Sequence, residues 1–383
     1  MIHSRIFADS QQRAASILAL LREMQLDEPV RADGMSALDW GICKAVNFFE
    51  QAIRMAGFWS DFHGIASGGR DWISAYVGWS LGCCDMSGPE DLQRAASLLL
   101  SDRYPSGAWG YRPGLPSDMD STSWATLFLQ QNRQEWDAQA AVDILLGHQD
   151  ELTGGIRTYL GPQFGIAEYV GAGPQDDLSG WCSAHICISA VAVQALIACG
   201  LDKNHPAIER LAQFIRSAQH PDGYWNAYWY HGKTYATAQC VRALLQIGET
   251  PESPTLQRAA GWVEVTQLPD GSWNDGLDGT PGRVVDTALA LRTGLDLCSP
   301  SPASFEKAVA WLLEKQRPDG SWDSLPILQL PAANEHAPWN VKEWPETGGS
   351  LTQGVCIPDR NRYFTTATAL RTLGEWRQRQ SSL

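Results

Sequence analysis

Two carboxylates two residues apart, Asp118 and Asp120, have the clearest capacity for chemistry in this chain. They lie in the segment P-S-D-M-D-S-T-S-W, residues 116–124, where the sequence predicts the start of a helix. Carboxylates this close cannot both ionise cheaply, so the pKa of one is raised and that group can hold a proton. Because the chain contains 17 Trp, such a proton donor could protonate an apolar substrate and leave the resulting cation against aromatic faces. The alternative interpretation is structural, since Ser117 or Asp118 would also cap the helix.

The composition excludes several classes of partner. The chain has 383 residues, of which 44% are apolar, and a formal net charge of −14. This charge argues against nucleic acid, whose phosphates need Lys and Arg, and against electrostatic docking on an anionic bilayer. Residues 1–16 lack a signal-type apolar run, and no stretch approaches the roughly 20 apolar residues that cross a membrane. We therefore expect a cytoplasmic protein without a transmembrane segment.

The nine cysteines do not indicate a metal site. There is no C-x-x-C, and neither Cys83-Cys84 nor the pair Cys182 and Cys187 has a zinc-binding spacing. Without a secretion signal, such residues are expected to be reduced thiols in the core and not a disulfide framework.

A repeated turn organises the second half of the chain. The pattern Q-x-P-D-G-x-W occurs at residues 219–225, 267–273 and 316–322, and weaker copies lie at 107–110 and 149–155. The repeats begin at 219, 267 and 316, and a period near 50 indicates a repeat architecture. Pro-Asp-Gly is turn chemistry, because Pro presets φ and Gly permits a positive φ. We therefore assign a structural role to the Gln residues of these turns.

Each turn separates an amphipathic helix from a helix that is apolar nearly all round. The first kind is predicted to lie outside and the second to be buried on both sides. Six such pairs are the number that closes a barrel, so we predict an all-α (α/α)6 barrel over residues 66–383. An N-terminal helical extension, residues 1–65, is predicted to precede it and to include the first outer helix. Outer helices are predicted to begin near residues 38, 90, 135, 207, 255 and 303, inner ones near 68, 121, 183, 234, 284 and 363, and an additional helix covers about 10–26.

Two long connections are predicted to lie near the carboxylate pair. They run from 155 to 180 and from 323 to 362, and long connections in compact domains are usually functional. Both precede an inner helix, as does the pair Asp118 and Asp120. All three segments should therefore lie at the same end of the barrel.

The repeats and the carboxylate motif together resemble the superfamily of squalene and oxidosqualene cyclases and protein prenyltransferases, over roughly residues 65–378. The segment D-M-D-S-T, residues 118–122, is similar to the D-x-D-D-T acid motif of class II terpene cyclases, with Ser121 in place of the last Asp. The resemblance implies that Asp120 is the catalytic acid. Familiar members carry a second helical domain, whereas this chain has a single barrel. Residues 1–65, the long connections or a second copy in a homodimer could close its cavity.

A histidine provides a further point of resemblance. The segment Ser183-Ala184-His185 is similar to the Thr-Ala-His of squalene–hopene cyclases, which implies that His185 hydrogen-bonds Asp120 and, when protonated, makes it more acidic. The alternative alignment of the inner helices pairs Ser189-Ala190 with the other Thr/Ser-Ala positions. His185 would then lie one turn nearer the preceding loop.

The remaining site predictions are residues at the same end of the barrel. Aromatic faces in the cavity would stabilise a cation, and each contact contributes roughly 0.5–2 kcal/mol. Asp286 is either a helix cap, a second polar site or a terminating base. The predicted substrate-binding residues are Trp109, Tyr111, Trp181, Trp229, Tyr230, Trp273, Phe364 and Asp286.

The resemblance implies a class II terpene cyclase, an isomerase that protonates a terminal alkene or epoxide of a linear isoprenoid and ends by proton loss. Such a reaction requires no cofactor. Mg²⁺ would take part only with a diphosphate substrate, whose head Arg112, Lys233, Arg283 or Arg362 could bind. Two alternatives remain at this stage, a protein prenyltransferase β-like barrel, which would need zinc, and a non-catalytic isoprenoid-binding barrel.

Overall fold

The fold is a ring of paired helices. A computed structural model describes residues 34–63, 68–84, 88–161, 165–275, 279–299 and 301–382, so the predicted helix at 10–26 lies outside the described residues. The described helices are α1 (Ala37–Ala56), α2 (Asp71–Leu81), α3 (Pro89–Asp102), α4 (Met119–Gln131), α5 (Ala138–Gly147), α6 (Ile166–Val170), α7 (Ile186–Ala198), α8 (Pro206–Ser217), α9 (Thr234–Gln246), α10 (Pro254–Val265), α11 (Val284–Leu297), α12 (Pro302–Glu314) and α13 (Tyr363–Ser382).

Helices α2, α4, α7, α9, α11 and α13 form the inner ring, in which each packs against the next and α13 packs against α2. Helices α1, α3, α5, α8, α10 and α12 lie outside, and α6 is a short helix in the connection before α7. This arrangement confirms the predicted (α/α)6 barrel. The largest shifts from the predicted starts are three residues, at α2 (68 against 71), α5 (135 against 138) and α7 (183 against 186).

The sequence of each helix explains its layer. In α7 every residue from Ile186 to Leu196 is buried, because small and aliphatic side chains cover the whole surface of the helix. In α8 burial is confined to one face, on which Ile208, Leu211 and Ile215 lie. The inner helices therefore contact both the barrel interior and the outer ring, whereas the outer helices expose their charged face.

In five of the six turns a tryptophan anchors an outer helix to the following inner helix, and in the remaining turn Ile156 takes its place. The indole of Trp225 donates to the carbonyl of Ile215, ten residues earlier at the end of α8 (2.7 Å), and its backbone N–H donates to Thr237 Oγ1 in α9 (3.0 Å). The same backbone bond to an inner-helix hydroxyl recurs at all six turns: Trp59–Ser74, Trp109–Thr122, Ile156–Ser189, Trp225–Thr237, Trp273–Thr287 and Trp322–Thr366.

The glutamine and glycine of the turn join neighbouring repeats. Gln219 Nε2 donates to the carbonyls of Gly223 (2.8 Å) and of Thr255 at the start of α10 (2.9 Å). Gly223 has a φ of 105°, and a Cβ atom there would lie 2.1 Å from the carbonyl oxygen of Arg258, so no other residue fits this approach. These contacts support the structural role predicted for the glutamines.

The last repeat closes on the first outer helix. Gln316 Nε2 donates to the carbonyl of Gly41 in α1 (2.8 Å), as the equivalent glutamines donate to the next outer helix in their own repeats. Helix α1 therefore completes the outer ring, next to the last repeat of the chain.

Both long connections cover the end of the barrel where the inner helices begin, which we name the upper end. The connection before α7 contains α6, and the connection before α13 contains β1 (Leu328–Leu330) and β2 (Val355–Ile357), an antiparallel pair that the sequence did not predict. A bridge between Tyr230 and Leu328 attaches this pair to the segment before α9. The two connections together form the roof of a cavity.

Candidate active site

A cavity of about 150 Å³ lies under this roof, at the start of helices α2 and α4. Two carboxylates, those of Asp118 and Asp120, are the only charged side chains among the described residues that line it. Aliphatic side chains of the roof, such as Ile166, Leu328 and Ile357, lie opposite. The rest of the wall is largely aromatic and comprises Phe62, Trp72, Tyr111, Tyr159, Tyr169, Trp181 and Trp229.

Asp118 is the N-cap of α4. Its Oδ1 accepts the backbone N–H of Ser121 (2.7 Å) and its Oδ2 accepts the Ser121 hydroxyl (2.8 Å). The serine that replaces the last Asp of the acid motif therefore binds the first. Burial raises the pKa of Asp118 to about 6, against the opposing effect of these bonds from Ser121. The capping role foreseen for Asp118 and its place in the cavity wall are thus compatible.

Asp120 lies in the first turn of α4 with its carboxyl group in the cavity wall. Its Oδ2 accepts a hydrogen bond from the hydroxyl of Tyr230 (2.6 Å). Its Oδ1 is buried and has no hydrogen-bond partner among the described residues. A carboxyl group with one oxygen bonded and the other free can carry a proton on the free oxygen.

The electrostatic setting favours the protonated form of Asp120. Burial is the largest cause and raises its pKa to about 8, while the hydrogen bond from Tyr230 opposes the rise and the charge of Asp118 adds to it. The repulsion from Asp118 that the sequence indicated does raise the pKa of Asp120, but burial raises it more. The indole groups of Trp72 and Trp124 oppose the rise more weakly. Asp120 is therefore expected to be a neutral acid at pH 7.

Tyr230 is held by its own aromatic contacts. Its ring stacks on Tyr235 with centroids 3.5 Å apart, and the hydroxyl of Tyr235 accepts the indole N–H of Trp124 (3.2 Å). Tyr230 is fully buried and lies behind the carboxyl group of Asp120, outside the residues that line the cavity. The structure thus replaces the predicted substrate contact of Tyr230 with a contact to the acid.

His185 does not bond Asp120, which corrects the prediction drawn from the Ser-Ala-His segment. Its Nδ1 accepts from the hydroxyl of Thr158 (2.8 Å) and its Nε2 donates to the carbonyl of Gly180 (2.9 Å). Burial lowers its pKa to about 3, so the ring is neutral. The alternative alignment explains this. Ser189 Oγ accepts the backbone N–H of Ile156, as an inner-helix hydroxyl does in each of the other turns, and His185 therefore lies one residue before α7.

Three of the predicted aromatic residues line the cavity. Tyr111 donates its hydroxyl to the carbonyl of Phe62 (3.2 Å), Trp181 donates to Pro331 (3.0 Å), and Trp229 donates to Thr158 Oγ1 (2.9 Å). These bonds occupy the polar atom of each side chain, so an apolar face is left for the cavity.

Four other predicted residues do not line it. Trp109 and Trp273 are the anchors of their repeat turns and donate to Leu99 and Val263. Phe364 is fully buried and stacks on Trp72 (5.8 Å), behind the wall. Asp286 is fully buried too, and accepts from Thr234 Oγ1 (2.7 Å) and pairs with Arg283 (3.3 Å). It is a structural acid and not a cavity residue.

Most of the cavity residues that the sequence analysis missed come from two sources. Phe62 and Trp72 belong to the first repeat, whose Trp59 lacks the Pro-Asp-Gly signal. Ile166, Tyr169 and Leu328 belong to the roof, whose fold has no repeat to predict it. Trp59 was a usable signal for this first repeat, because it lies 15 residues before the hydroxyl residue Ser74, much as Trp225 lies 12 residues before Thr237.

A groove continues outward from the cavity. It has a volume of about 530 Å³ and shares Leu115, Pro116 and Tyr169 with the cavity wall. Among the described residues that line it, Glu168 is the only charged one. The groove therefore connects the cavity to the surface along a path with hydroxyl, aromatic and carboxylate groups.

Cationic side chains suggested for a diphosphate are engaged elsewhere. Lys233 donates to the carbonyl of Asp275 (3.3 Å), Arg283 pairs with Asp286, and Arg362 binds Asp319 (2.9 Å). Arg112, like these three, is outside the residues that line the cavity or the groove. The described residues contain no group of three or more His, Cys, Asp or Glu side chains that could hold a metal ion, and none of the described helices is long and apolar enough to cross a membrane.

Comparisons with known proteins agree with this geometry. Residues 182–327 match the family model of the squalene-hopene cyclase C-terminal domain. The type II terpene cyclase MstE from Scytonema, solved as variants with its substrate geranylgeranyl dihydroxybenzoate and with its product merosterolic acid A, is 31% identical. The substrate complex superposes with a TM-score of 0.79 over 89% of this chain and 98% of that one.

More distant structures extend the comparison. A protein from Actinoplanes is 27% identical over 90% of this chain and all of its own, with a TM-score of 0.75. The ent-copalyl diphosphate synthase from Streptomyces platensis is 19% identical over 80% of this chain and 50% of its own (TM-score 0.55), which shows a shared fold alone. No curated protein sequence matches the chain. On the likeness to MstE, this chain belongs to the type II terpene cyclases, enzymes that cyclise isoprenoids in a reaction begun by protonation.

Proposed function

We propose that Asp120 is the general acid of this cyclase. The free Oδ1 of Asp120 carries the proton, which passes to the less substituted carbon of the terminal double bond of an isoprenoid (or to the oxygen of a terminal epoxide) in the cavity. The π electron pair of the alkene forms the new C–H bond (or a lone pair of the epoxide oxygen forms the new O–H bond and a ring C–O bond breaks), the electron pair of the acid's own O–H bond stays on the carboxylate, and a tertiary cation is left. The observation that carries this proposal is the buried carboxyl group with one oxygen bonded by Tyr230 and the other free.

The cation then propagates along the chain by attack of successive double bonds, and the reaction ends when a proton is lost. Substrate and product have the same composition, so the enzyme is an isomerase. Trp72, Trp181 and Trp229 present faces to the cavity, and each cation–π contact stabilises a cation by roughly 0.5–2 kcal/mol. The aromatic wall thus stabilises the cation, whereas helix α4 carries the acid that starts the reaction.

The cavity and groove together indicate the substrate. The relative MstE binds geranylgeranyl dihydroxybenzoate, a prenyl chain with an aromatic head. We propose that the end of such a chain lies beside Asp120 and that its head occupies the groove. Because Glu168, an anion, is the only charged side chain among the described groove residues, a hydroxylated aromatic head without the carboxylate of the MstE substrate fits better than that head or a diphosphate.

Further expectations complete the proposal. The proton transfer needs no metal or redox cofactor, and Mg²⁺ would enter only with a diphosphate head. Four expectations stay predictions. They are a cytoplasmic location, the lack of a nucleic-acid partner, the boundary between an extension 1–65 and the barrel, and closure of the cavity by a second copy of the chain.

The test is incubation of the purified chain with geranylgeranyl hydroquinone, geranylgeranyl diphosphate and squalene, followed by mass spectrometry and NMR. We expect a cyclic isomer of unchanged mass from the hydroquinone. The variant Asp120→Asn should give roughly 10²–10⁴-fold less product while it keeps its helical circular dichroism. Asp143→Asn, the same change on the exposed face of α5, is the matched control and should react normally. Full activity of Asp120→Asn would overturn the assignment of the acid.

A further inference from the structure

Two buried polar atoms in the wall of the cavity lack a hydrogen-bond partner. They are the indole Nε1 of Trp72 and the Oδ1 of Asp120, and no other buried side-chain nitrogen or oxygen is unpartnered among the described residues that line the cavity. One atom is a donor and the other is an acceptor. Because buried polar groups are normally hydrogen-bonded, this pair requires an explanation.

The other two tryptophans of the cavity wall show what Trp72 lacks. The indole N–H of Trp181 donates to the carbonyl of Pro331 (3.0 Å), and that of Trp229 donates to Thr158 Oγ1 (2.9 Å). Trp72 is only 1% exposed, yet its N–H has no acceptor. A buried indole N–H usually finds an acceptor, which points to one that another state of the site provides.

Aromatic contacts fix Trp72 beside the acid. Its ring stacks on Tyr111 (6.1 Å) and on Phe364 (5.8 Å). Its centroid lies 6.2 Å from that of Tyr230, whose hydroxyl binds Oδ2 of Asp120 (2.6 Å). The N–H of Trp72 does not meet hydrogen-bond geometry with Oδ1 in this state. Burial raises the pKa of Asp120, and the indole group already opposes this rise.

The protonation state of Asp120 decides how strongly Oδ1 accepts a hydrogen bond. In the neutral acid Oδ1 carries the proton and is a poor acceptor. Once the proton has passed to the substrate, Oδ1 shares the negative charge, and a hydrogen bond to an ionised oxygen is roughly twice as strong as one between neutral groups. A fixed donor whose bond strengthens as the proton leaves stabilises the transition state more than the ground state.

We propose that the indole N–H of Trp72 donates to Oδ1 of Asp120 as the proton leaves, and that Trp72 is thereby a positioning residue of the acid. This inference rests on the proposed function, in which Oδ1 releases the proton. The N–H bond of the indole stays intact, so the proton of the acid is the only one transferred. Tyr230 and Trp72 then bind the two oxygens of the carboxylate. Neither donor is charged, so the resting acid stays neutral.

Wild-type protein gives a direct test of the hydrogen bond. The indole groups are labelled with ¹⁵N, and the N–H resonance of Trp72 is identified by its absence from the variant Trp72→Phe. From pH 5 to 9 this resonance should move downfield with a midpoint near the pKa of Asp120, about 8. The step should vanish in Asp120→Asn. A resonance that does not move in the wild type, or an equal step in Asp120→Asn, would overturn the inference.

The other titratable groups near these two residues are distinguished by their pKa values and by the same variant. Burial raises the pKa of Asp71 to about 7 and those of Asp61 and Asp118 to about 6, and all three remain in Asp120→Asn. Arg70, which pairs with Asp71 (3.1 Å), keeps its charge throughout. Burial also raises the pKa values of the neighbouring phenol and thiol groups, which therefore titrate above this range: Tyr76, Tyr111, Tyr159, Tyr230, Tyr235 and Cys187.

A kinetic test removes the N–H alone. Replacement of Trp72 by 3-benzothienylalanine keeps a bicyclic aromatic face and puts sulfur in place of the N–H. We expect kcat to fall roughly 10–100-fold with KM little changed, and the loss of activity at high pH to move upward by about one unit. The same replacement at Trp181, whose N–H binds a backbone carbonyl, should leave the pH of that loss unchanged. An unchanged kcat and pH profile after replacement of Trp72 would contradict its role.

The outcomes separate this inference from the proposed function. Full turnover by Asp120→Asn would refute the acid, whatever the resonance of Trp72 does. A strongly impaired Asp120→Asn together with a Trp72 resonance that does not titrate in the wild type would leave the acid in place and refute the role of Trp72.

Discussion

The barrel interior holds a carboxyl group at each end, and the two are in opposite protonation states. Asp120, at the upper end, accepts one hydrogen bond from a neutral tyrosine, and burial raises its pKa to about 8. Glu375, at the other end, is partly buried, with 16% of its side chain exposed, but accepts hydrogen bonds from Arg242 and Arg371, and its pKa stays below the ordinary value. Burial acts in the same direction on both, so the cationic partner decides which state exists.

One helix supplies an aromatic face to each end. Trp72 and Trp79 lie about two turns apart on α2. The ring of Trp79 is covered by the guanidinium group of Arg371 at 3.8 Å, whereas Trp72 lines the cavity beside Asp120. The protein thus provides its own cation at one end and leaves an aromatic face for a substrate cation at the other. An arginine near Trp72 would ionise Asp120 and remove the acid.

The largest expected effects come from making the same change of acid to amide at each end. Glu375→Gln removes the carboxylate that binds Arg371 and one of the two that bind Arg242, and it should lower the free energy of unfolding by about 3 kcal/mol, with turnover retained. Asp120→Asn replaces a neutral acid with a neutral amide, so its stability near pH 4, where the unfolded-state carboxyl group is still partly protonated, should change little, while turnover falls by roughly 10²–10⁴-fold. Urea unfolding and product formation measure the two effects. A Glu375→Gln variant as stable as the wild type would contradict the proposed difference between the two carboxyl groups.

The pH dependence of stability should differ in sign between the two acids. The folded-state pKa of Asp120, about 8, is above its ordinary value of 3.8, so stability is present at low pH and is lost as the pH rises from about 4 to 8. For Glu375 the folded-state pKa is lowered, so its contribution is present above the ordinary value of 4.5 and is lost as the pH falls through the folded pKa. Unfolding free energies of wild type and Asp120→Asn, measured from pH 4 to 9, should be similar near pH 4 and diverge as the pH rises to about 8.

Tyr230→Phe sharpens the comparison at the upper end. The hydroxyl of Tyr230 stabilises the carboxylate of Asp120, so its loss should raise the pKa of the acid and weaken it. We expect kcat to fall by about tenfold, and the loss of activity at high pH to shift upward by about one unit. Tyr228→Phe is the control, because the hydroxyl of Tyr228 donates to Glu335 and not to Asp120. Equal profiles for wild type and Tyr230→Phe would mean that Tyr230 does not act on the acid.

The repeat chemistry made the barrel predictable from the sequence. The contacts of Gln219, Gly223 and Trp225 are with backbone atoms at fixed spacing or with the next helix, so the local pattern determines them. Asp120 was also predictable as a residue, because its motif is local. Its role as the acid is still a proposal.

The partners of Asp120 depend on the closed ring and were not predictable. Tyr230 contacts it across 110 residues of sequence, and nothing in the segment around either residue indicates this pairing. His185 had the more suggestive local motif, yet its position before α7 directs both ring nitrogens to Thr158 and Gly180. Local patterns therefore predicted the frame, and they gave the residue proposed as the acid, but they misassigned the group that hydrogen-bonds its carboxyl group.

The smallest expected effects concern Ser121, where this chain departs from the acid motif. Its hydroxyl stabilises the carboxylate of Asp118, so Ser121→Ala should raise the pKa of Asp118 and cost about 1 kcal/mol of unfolding free energy. A more neutral Asp118 repels charge on Asp120 less, so the loss of activity at high pH should move to slightly lower pH. Ser121→Asp, which restores a third carboxylate, should move it to higher pH. Ser123→Ala, which removes a hydroxyl bonded only to the Met119 carbonyl, should leave the profile unchanged. Shifts of opposite sign in the two Ser121 variants would show that the charge on Asp118 sets the strength of the acid, and shifts of the same sign would show that packing at this position dominates.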